Sequence, residues 1–284
     1  MFSLGPRIHR RFLRTRIRSL LVRPSPSAPP APAAPAIPAG PPPPPPPPEG
    51  LTAFSYHWET VPPTPTQLSY ADSFFTRGIP SKHLWSQAKF GAIEIGTSPE
   101  VVFLGRSNVG KSSLLNAMMG HAGLAFTSSK PGRTRLLSAF AVNGGKAVVV
   151  DCPGYGHASR EEWGVQVMKY LKSRKQFRRA FVLLDARHGP KSSDIMLLEH
   201  LGREGISFQV VLSKVDAVNQ RDGSLRGAFE DTKYLLETGI AGVTGLGEVI
   251  GVAPNPAKKG VAKIGISQLR WSVLVACGLD AGVK

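Results

Sequence analysis

The sequence predicts an α/β fold: a mostly parallel sheet with one antiparallel edge strand and helices on both faces. Two observations predict it. From Pro99 onward, short apolar runs alternate with segments of helical character, the pattern of strands joined by helical crossovers. One pair breaks the alternation: LLSAFAV (136–142) and KAVVVD (146–151) are separated by Asn143, Gly144 and Gly145 alone, a hairpin signal that makes them antiparallel and puts one at an edge. The expected strands are 100–105, 136–142, 146–151, 180–186, 207–213 and 247–253, and the expected helices 111–120, 161–177, 191–204, 224–238 and 266–278. Ligands in such sheets sit beyond the carboxyl ends of the strands.

Ahead of this region the composition is different. The 284-residue chain is basic, with 35 Lys and Arg against 19 Asp and Glu, a formal charge of +16. Such an excess favours partners that carry phosphate or acidic surfaces. Residues 1–23 hold seven arginines, interleaved with Phe, Leu and Ile at amphipathic spacing, and the first acid is Glu49. An N-terminal, arginine-rich, acid-free segment reads as a mitochondrial transit peptide (matrix), with a chloroplast address or a nucleic-acid-binding arm as alternatives. Residues 24–48 are mostly proline and alanine; proline removes backbone donors and favours extended polyproline II, so the segment reads as a spacer. Residues 50–67 read as more linker, making 24–67 the linker and 68–284 the folded domain. Cys152 and Cys277 are too far apart in sequence to suggest a disulfide framework or zinc site. No apolar run reaches the roughly 18 residues that cross a bilayer. A monomer is expected.

The first predicted strand runs into GRSNVGKSS (105–113), a glycine, four residues, then Gly110-Lys111-Ser112 at the start of a predicted helix. In that context Gly105, Arg106, Ser107, Asn108, Val109 and Gly110 form a phosphate-binding loop whose amides curl around the anion. Lys111 reaches the β- and γ-phosphates, Ser112 offers a hydroxyl to Mg²⁺, and Ser113 completes the first turn. A second magnesium contact comes from Asp151 in DCPG (151–154), at the end of the third strand. Gly154 can bring its amide to a γ-phosphate where a side chain would obstruct it. The polar loop SSKPGRTR (128–135) is the candidate γ-phosphate sensor, with Gly132, Arg133 and Thr134; Thr134 is the candidate second hydroxyl on Mg²⁺, and Thr127 competes with it.

VVLSKVDAV (210–218) decides the base. A strand ends, and Ser213, Lys214 and Asp216 follow. Guanine presents a ring N–H beside an exocyclic amine, and a carboxylate accepts both. Adenine cannot offer that pair, and buried groups left unpaired discriminate strongly. Asp216 is that carboxylate, and Lys214 lays its stem along the base. The four elements make a P-loop GTPase G-domain with GTP and GDP as its substrate and product. Asparagine usually stands where Ser213 is and braces the phosphate loop; serine is shorter.

GRSNVGKSSLLNA, TSSKPGRTR, DCPGYGHA, LLDARHGPKSSD and VLSKVD, together with GISQLRWSVLVACGL near the C-terminus, resemble the EngB (YihA) family of GTP-binding proteins. The resemblance implies Mg²⁺-dependent GTP hydrolysis and a role in assembling the large ribosomal subunit, with its precursor and rRNA as partners. It also implies Thr134 as the switch threonine and, with the N-terminus, a mitochondrial homologue. Lys111, Asn108, Thr134 and Gly154 would then carry catalysis, Asn108 resembling the asparagine that related GTPases use to bind K⁺; capping the loop is its other reading. That family has a Ser-Ser or Ser-Ala pair whose backbone contacts guanine. VAPNPAKKG (252–260) stands here instead, with Ala253, Pro254 and Asn255 as stand-ins. Many GTPases place a glutamine after the Asp-x-x-Gly glycine to orient water, but this chain has Tyr155. Lys169, Lys172, Arg174, Lys175, Arg178 and Arg179, read as lying beside Lys130, Arg133 and Arg135, are expected to meet rRNA phosphates. Other functions in view are an RNA-tethered GTP-binding protein with little turnover and a GTPase serving tRNA modification or membrane remodelling.

Overall fold

Strands covered on both faces read as near-continuous apolar runs, and the central strands do so apart from a few polar residues. Among the described residues of the computed structural model, nine strands form one sheet. They are β1 (Gly50–Thr52), β2 (Ser55–His57), β3 (Lys82–Gln87), β4 (Glu100–Gly105), β5 (Leu137–Val142), β6 (Ala147–Asp151), β7 (Phe177–Asp185), β8 (Phe208–Ser213) and β9 (Gly245–Val252). The helices are α1 (Pro65–Thr76), α2 (Lys111–Met119), α3 (Glu161–Ser173), α4 (Ser192–Arg203), α5 (Ser224–Glu237) and α6 (Ile266–Ala276). The structure describes residues 50–52, 55–88, 96–125, 136–155, 161–218, 224–238, 245–255 and 262–283.

The sheet order is β1-β2-β9-β8-β7-β4-β6-β5-β3. The five strands from β9 to β6 are parallel, and β5 returns antiparallel to β6. Side chains alternate across β4: Val102 and Leu104 enter a core with α3, α4 and α5, whereas Val101 and Phe103 enter a second core with α1, α2 and α6. All five parallel strands end toward the same side, which brings Gly105, Asp151, Asp185 and Ser213 to one rim.

Two expectations are corrected at the margins. The hairpin of β5 and β6 is antiparallel as expected, but β5 is not the edge. β3 pairs antiparallel outside it, and β2 and β1 add an antiparallel edge on the far side, against β9. The domain also starts before Leu68. His57 lies opposite Glu248, and Ser55, His57 and Trp58 are buried. One of the prolines that read as linker, Pro65, begins a helix instead. Thr64 caps α1, accepting from the Gln67 amide at 3.3 Å while the Gln67 side chain accepts from the Thr64 amide at 2.9 Å. Pro65 takes the first helical position, where its missing N–H has no intrahelical partner to lose.

At the opposite end of the sheet from the rim, Glu100 is buried and bound twice by Arg174, Nε to Oε2 at 2.9 Å and Nη2 to Oε1 at 2.7 Å. The Tyr170 hydroxyl also donates to Oε2. Arg174 is therefore a core ion-pair residue. Removing the guanidinium leaves a carboxylate buried without its counter-charge, so Arg174→Ala should cost about 3–5 kcal/mol of unfolding free energy in urea titrations. A loss below about 1 kcal/mol, the range of an exposed pair, would contradict this placement.

Candidate functional site

The loop between β4 and α2 owes its shape to two residues with positive φ. Gly110, the N-cap of α2, has φ 99°, a conformation that a side chain resists. Asn108 has φ 65°, and asparagine is among the few side chains that enter this region readily. Val109 is buried and anchors the loop in the core beside α2, its amide donating to the Arg106 carbonyl at 3.2 Å. Lys111, Ser112 and Ser113 form the first turn of α2, so unpaired amides and the positive end of the helix dipole face the rim.

Asp151 ends β6 next to this turn. The buried Lys111 ammonium donates to its Oδ1, and the Ser112 hydroxyl lies 3.4 Å from its Oδ2. One carboxylate and one hydroxyl, both hard oxygen donors beside a helix N-terminus, fit Mg²⁺, which proteins hold through one or two such oxygens alongside substrate phosphates. A larger protein cluster is not required, and none of three or more His, Cys, Asp or Glu exists among the described residues. Burial pushes the thiol of the neighbouring Cys152 up, keeping it protonated. Gly154 lies against the phosphate loop: a Cβ there would sit 2.7 Å from the Ser107 nitrogen and 2.8 Å from its Cα. Only glycine permits that approach.

On the other side of the loop, β8 ends at Ser213 and the chain turns through Lys214 at φ 59° into a 3-10 turn, Val215–Ala217. Ser213 does not brace the phosphate loop; its hydroxyl donates to the Leu184 carbonyl at 3.0 Å. Lys214 supplies the brace, its ammonium donating to the Asn108 carbonyl at 2.8 Å and to Asp185 Oδ2 at 2.9 Å. Asp216 is half-buried on the 3-10 turn. Asp185 escaped the reading of candidate residues, although it ends β7 as Asp151 ends β6, and DARHG marks the position. Burial alone raises its carboxyl, but hydrogen bonds from Arg187 and Lys214 outweigh that and hold it well below the usual carboxylate range. It stays ionised and fixes Lys214.

The last nucleotide-binding element is corrected. The Ala253 amide donates to the Ile264 carbonyl at 3.1 Å, and Pro254 has no N–H. Neither can donate to a guanine carbonyl, which leaves Asn255 alone of the three expected stand-ins. Gly132, Arg133 and Thr134 lie outside the described residues, as does Thr127.

The chain has close relatives in known proteins. The profile of the 50S ribosome-binding GTPase family matches residues 100–214, the stretch from β4 to Lys214. The probable GTP-binding protein EngB of Sinorhizobium medicae is 44% identical over 157 residues, covering 51% of this chain and 69% of that protein. The chain belongs to the EngB family of GTP-binding proteins. The EngB protein of Roseobacter denitrificans is 48% identical over 128 residues, 43% of this chain and 59% of its own. The strand ends that build the rim, from β4, β6, β7 and β8, thus lie within residues 100–214, the stretch matched by the ribosome-binding GTPase profile.

Replacing Asp216 by Asn should exchange guanine for xanthine. The amide cannot accept two hydrogen bonds, but its NH₂ can face the xanthine carbonyl. Guanine nucleotide affinity should fall by about 100-fold or more, with a gain for xanthosine diphosphate. Competition titration of a fluorescent nucleotide reads both; unchanged guanine affinity would exclude Asp216 from base recognition.

Proposed function

We propose that this EngB protein is a Mg²⁺-dependent GTPase used as a switch in assembly of the large subunit of the mitochondrial ribosome. The observation that carries the reading is the meeting, on one rim, of Gly110-Lys111-Ser112, Asp151 and Lys214-Val215-Asp216. Lys111 and the amides of the first turn of α2 balance charge on the β- and γ-phosphates. Ser112 and Asp151 would hold Mg²⁺, which supplies charge neutralisation between those phosphates. Thr134 is the proposed second hydroxyl from the sensing loop.

Basal turnover should be slow, because the position after Gly154 holds a buried tyrosine and no amide to orient water. Acceleration is assigned to the ribosomal particle, to K⁺ at Asn108, or to both. The positive φ of Asn108 gives the residue a backbone reason to be there, so the informative variant is Asn108→Gly, which keeps the conformation and removes the side-chain oxygen. Turnover in Na⁺ should be low, rise in K⁺, and lose that rise in Asn108→Gly with GDP affinity kept. Fast turnover in Na⁺ without particles would contradict the account.

The rRNA contact is relocated. Arg174 is buried against Glu100 and Arg179 is half-buried, its Nη1 3.4 Å from Gln209. Lys169, Lys172, Lys175 and Arg178 are exposed, and Lys146 and Arg203 join them in exposure. Phe177 pairs with Glu100 at the start of β4, so Lys175 and Arg178 sit at the end of the sheet away from the rim, Arg178 about 23 Å from Asp185 along β7. RNA held there would be tethered in either nucleotide state. Lys146→Ala, Lys175→Ala and Arg178→Ala together should flatten the salt dependence of RNA binding by about 2–3 in log–log slope; an unchanged slope would mark a merely solvated face.

Import into the mitochondrial matrix rests on the arginine-rich residues 1–23. Mass spectrometry of the endogenous protein should find its N-terminus beyond Arg23 in matrix fractions. An intact Met1 in the cytosol would sink this address, and recovery from chloroplasts would replace it.

A further inference from the structure

Tyr155 follows Gly154 at the point where the chain crosses the phosphate loop, and its side chain is buried. Its hydroxyl donates to Asp194 Oδ1 at 2.8 Å. Asp194 is 1% exposed and lies in the first turn of α4. Its Oδ2 accepts from the Lys191 amide at 2.8 Å and lies 3.7 Å from Arg106 Nη1, in the phosphate loop. The backbone closes the same circuit. The Tyr155 amide donates to the Gly105 carbonyl at 3.3 Å, and the Ser107 amide donates to the Tyr155 carbonyl at 3.1 Å. One carboxylate therefore joins the phosphate loop, the segment after Gly154 and the start of α4. Burial and the Asp194 charge push the tyrosine hydroxyl well up, so it remains a donor.

We propose that Tyr155 is a positioning residue: anchored on Asp194, it holds Gly154 against the phosphate loop, in place for the γ-phosphate that distinguishes GTP from GDP. This rests on the GTPase reading. The side chain is turned into the protein and cannot orient a water at the γ-phosphate. Its contribution is to order, before nucleotide arrives, a segment that GTP would otherwise have to order itself. That ordering cost falls on GTP alone, because GDP has no group for the Gly154 amide to meet. The same carboxylate sits at the N-terminal turn of α4, so α4 and the γ-phosphate are coupled, and the coupling runs both ways.

The test uses the full chain as wild type, Tyr155→Phe, Asp194→Asn and the double variant. Affinities for GDP and a non-hydrolysable GTP analogue are measured, with amide hydrogen exchange on the nucleotide-free protein. Tyr155→Phe should leave GDP affinity within about twofold and weaken the GTP analogue about tenfold, the worth of one lost hydrogen bond. Exchange at the amides of residues 107 and 155 should quicken while the central strands stay protected. Asp194→Asn should act in the same direction, and the double variant should be no worse than the more affected single, since the tyrosine hydroxyl acts through Asp194. Equal weakening of both nucleotides would make the pair a scaffold contact and overturn the proposal. So would a raised preference for GTP, or no change in affinity. A wild type that bound neither guanine nucleotide would instead defeat the GTPase reading. The exchange measurement would still judge the latch, which unchanged protection at 107 and 155 in the variants would refute.

Discussion

The rim depends on Lys214. Its backbone occupies a conformation that costs an L-residue about 1–2 kcal/mol, and two charge-assisted or carbonyl contacts hold it there. The ammonium ties the Asn108 carbonyl to the Asp185 carboxylate, so the phosphate loop, the end of β7 and the turn bearing Asp216 share one fixed point. A base-recognising carboxylate is useful only if its distance from the phosphate cradle does not drift. The salt bridge sets that distance from within the protein. Serine at 213 is compatible with this because it is released from bracing the loop and secures β8 to β7 at the Leu184 carbonyl.

A second fixed point lies across the phosphate loop, at Asp194. The two have the same construction: a carboxylate near the end of β7 or the start of α4 gathers donors from segments far apart in sequence. Both are largely removed from water, where a satisfied ionic hydrogen bond is strong and an unsatisfied one costly. The loop is thus gripped on its base side by Lys214 and Asp185 and on its γ-phosphate side by Tyr155 and Asp194. Between the grips, Lys111 donates to Asp151.

The sequence made the central strands legible because they are buried on both faces and read as unbroken apolar runs. The phosphate loop was legible because its glycines and lysine have few other uses between a strand and a helix. The edges were not. β3, KHLWSQ, is exposed along its first half and has no apolar period. β2 is three residues long, and its partner β9 lies about two hundred positions away, so only tertiary pairing makes it a strand. In TVPPTPTQ a cap and a first-turn proline look like linker until the helix is seen. At the site, residues that act through the nucleotide left local signatures, whereas Asp194 acts through contacts that no spacing reveals. Arg174 failed for a related reason: a run of basic residues does not say which of them faces inward.

The central claim is that the carboxyl ends of β4, β6 and β8 form a guanine nucleotide site. Titration of the wild-type protein with GDP, GTP and ATP in Mg²⁺, monitored by calorimetry, tests it most directly. The account predicts one site per chain for GDP and GTP, and no saturable binding of ATP at concentrations that saturate the site with GTP. Equal affinity for ATP and GTP would contradict it.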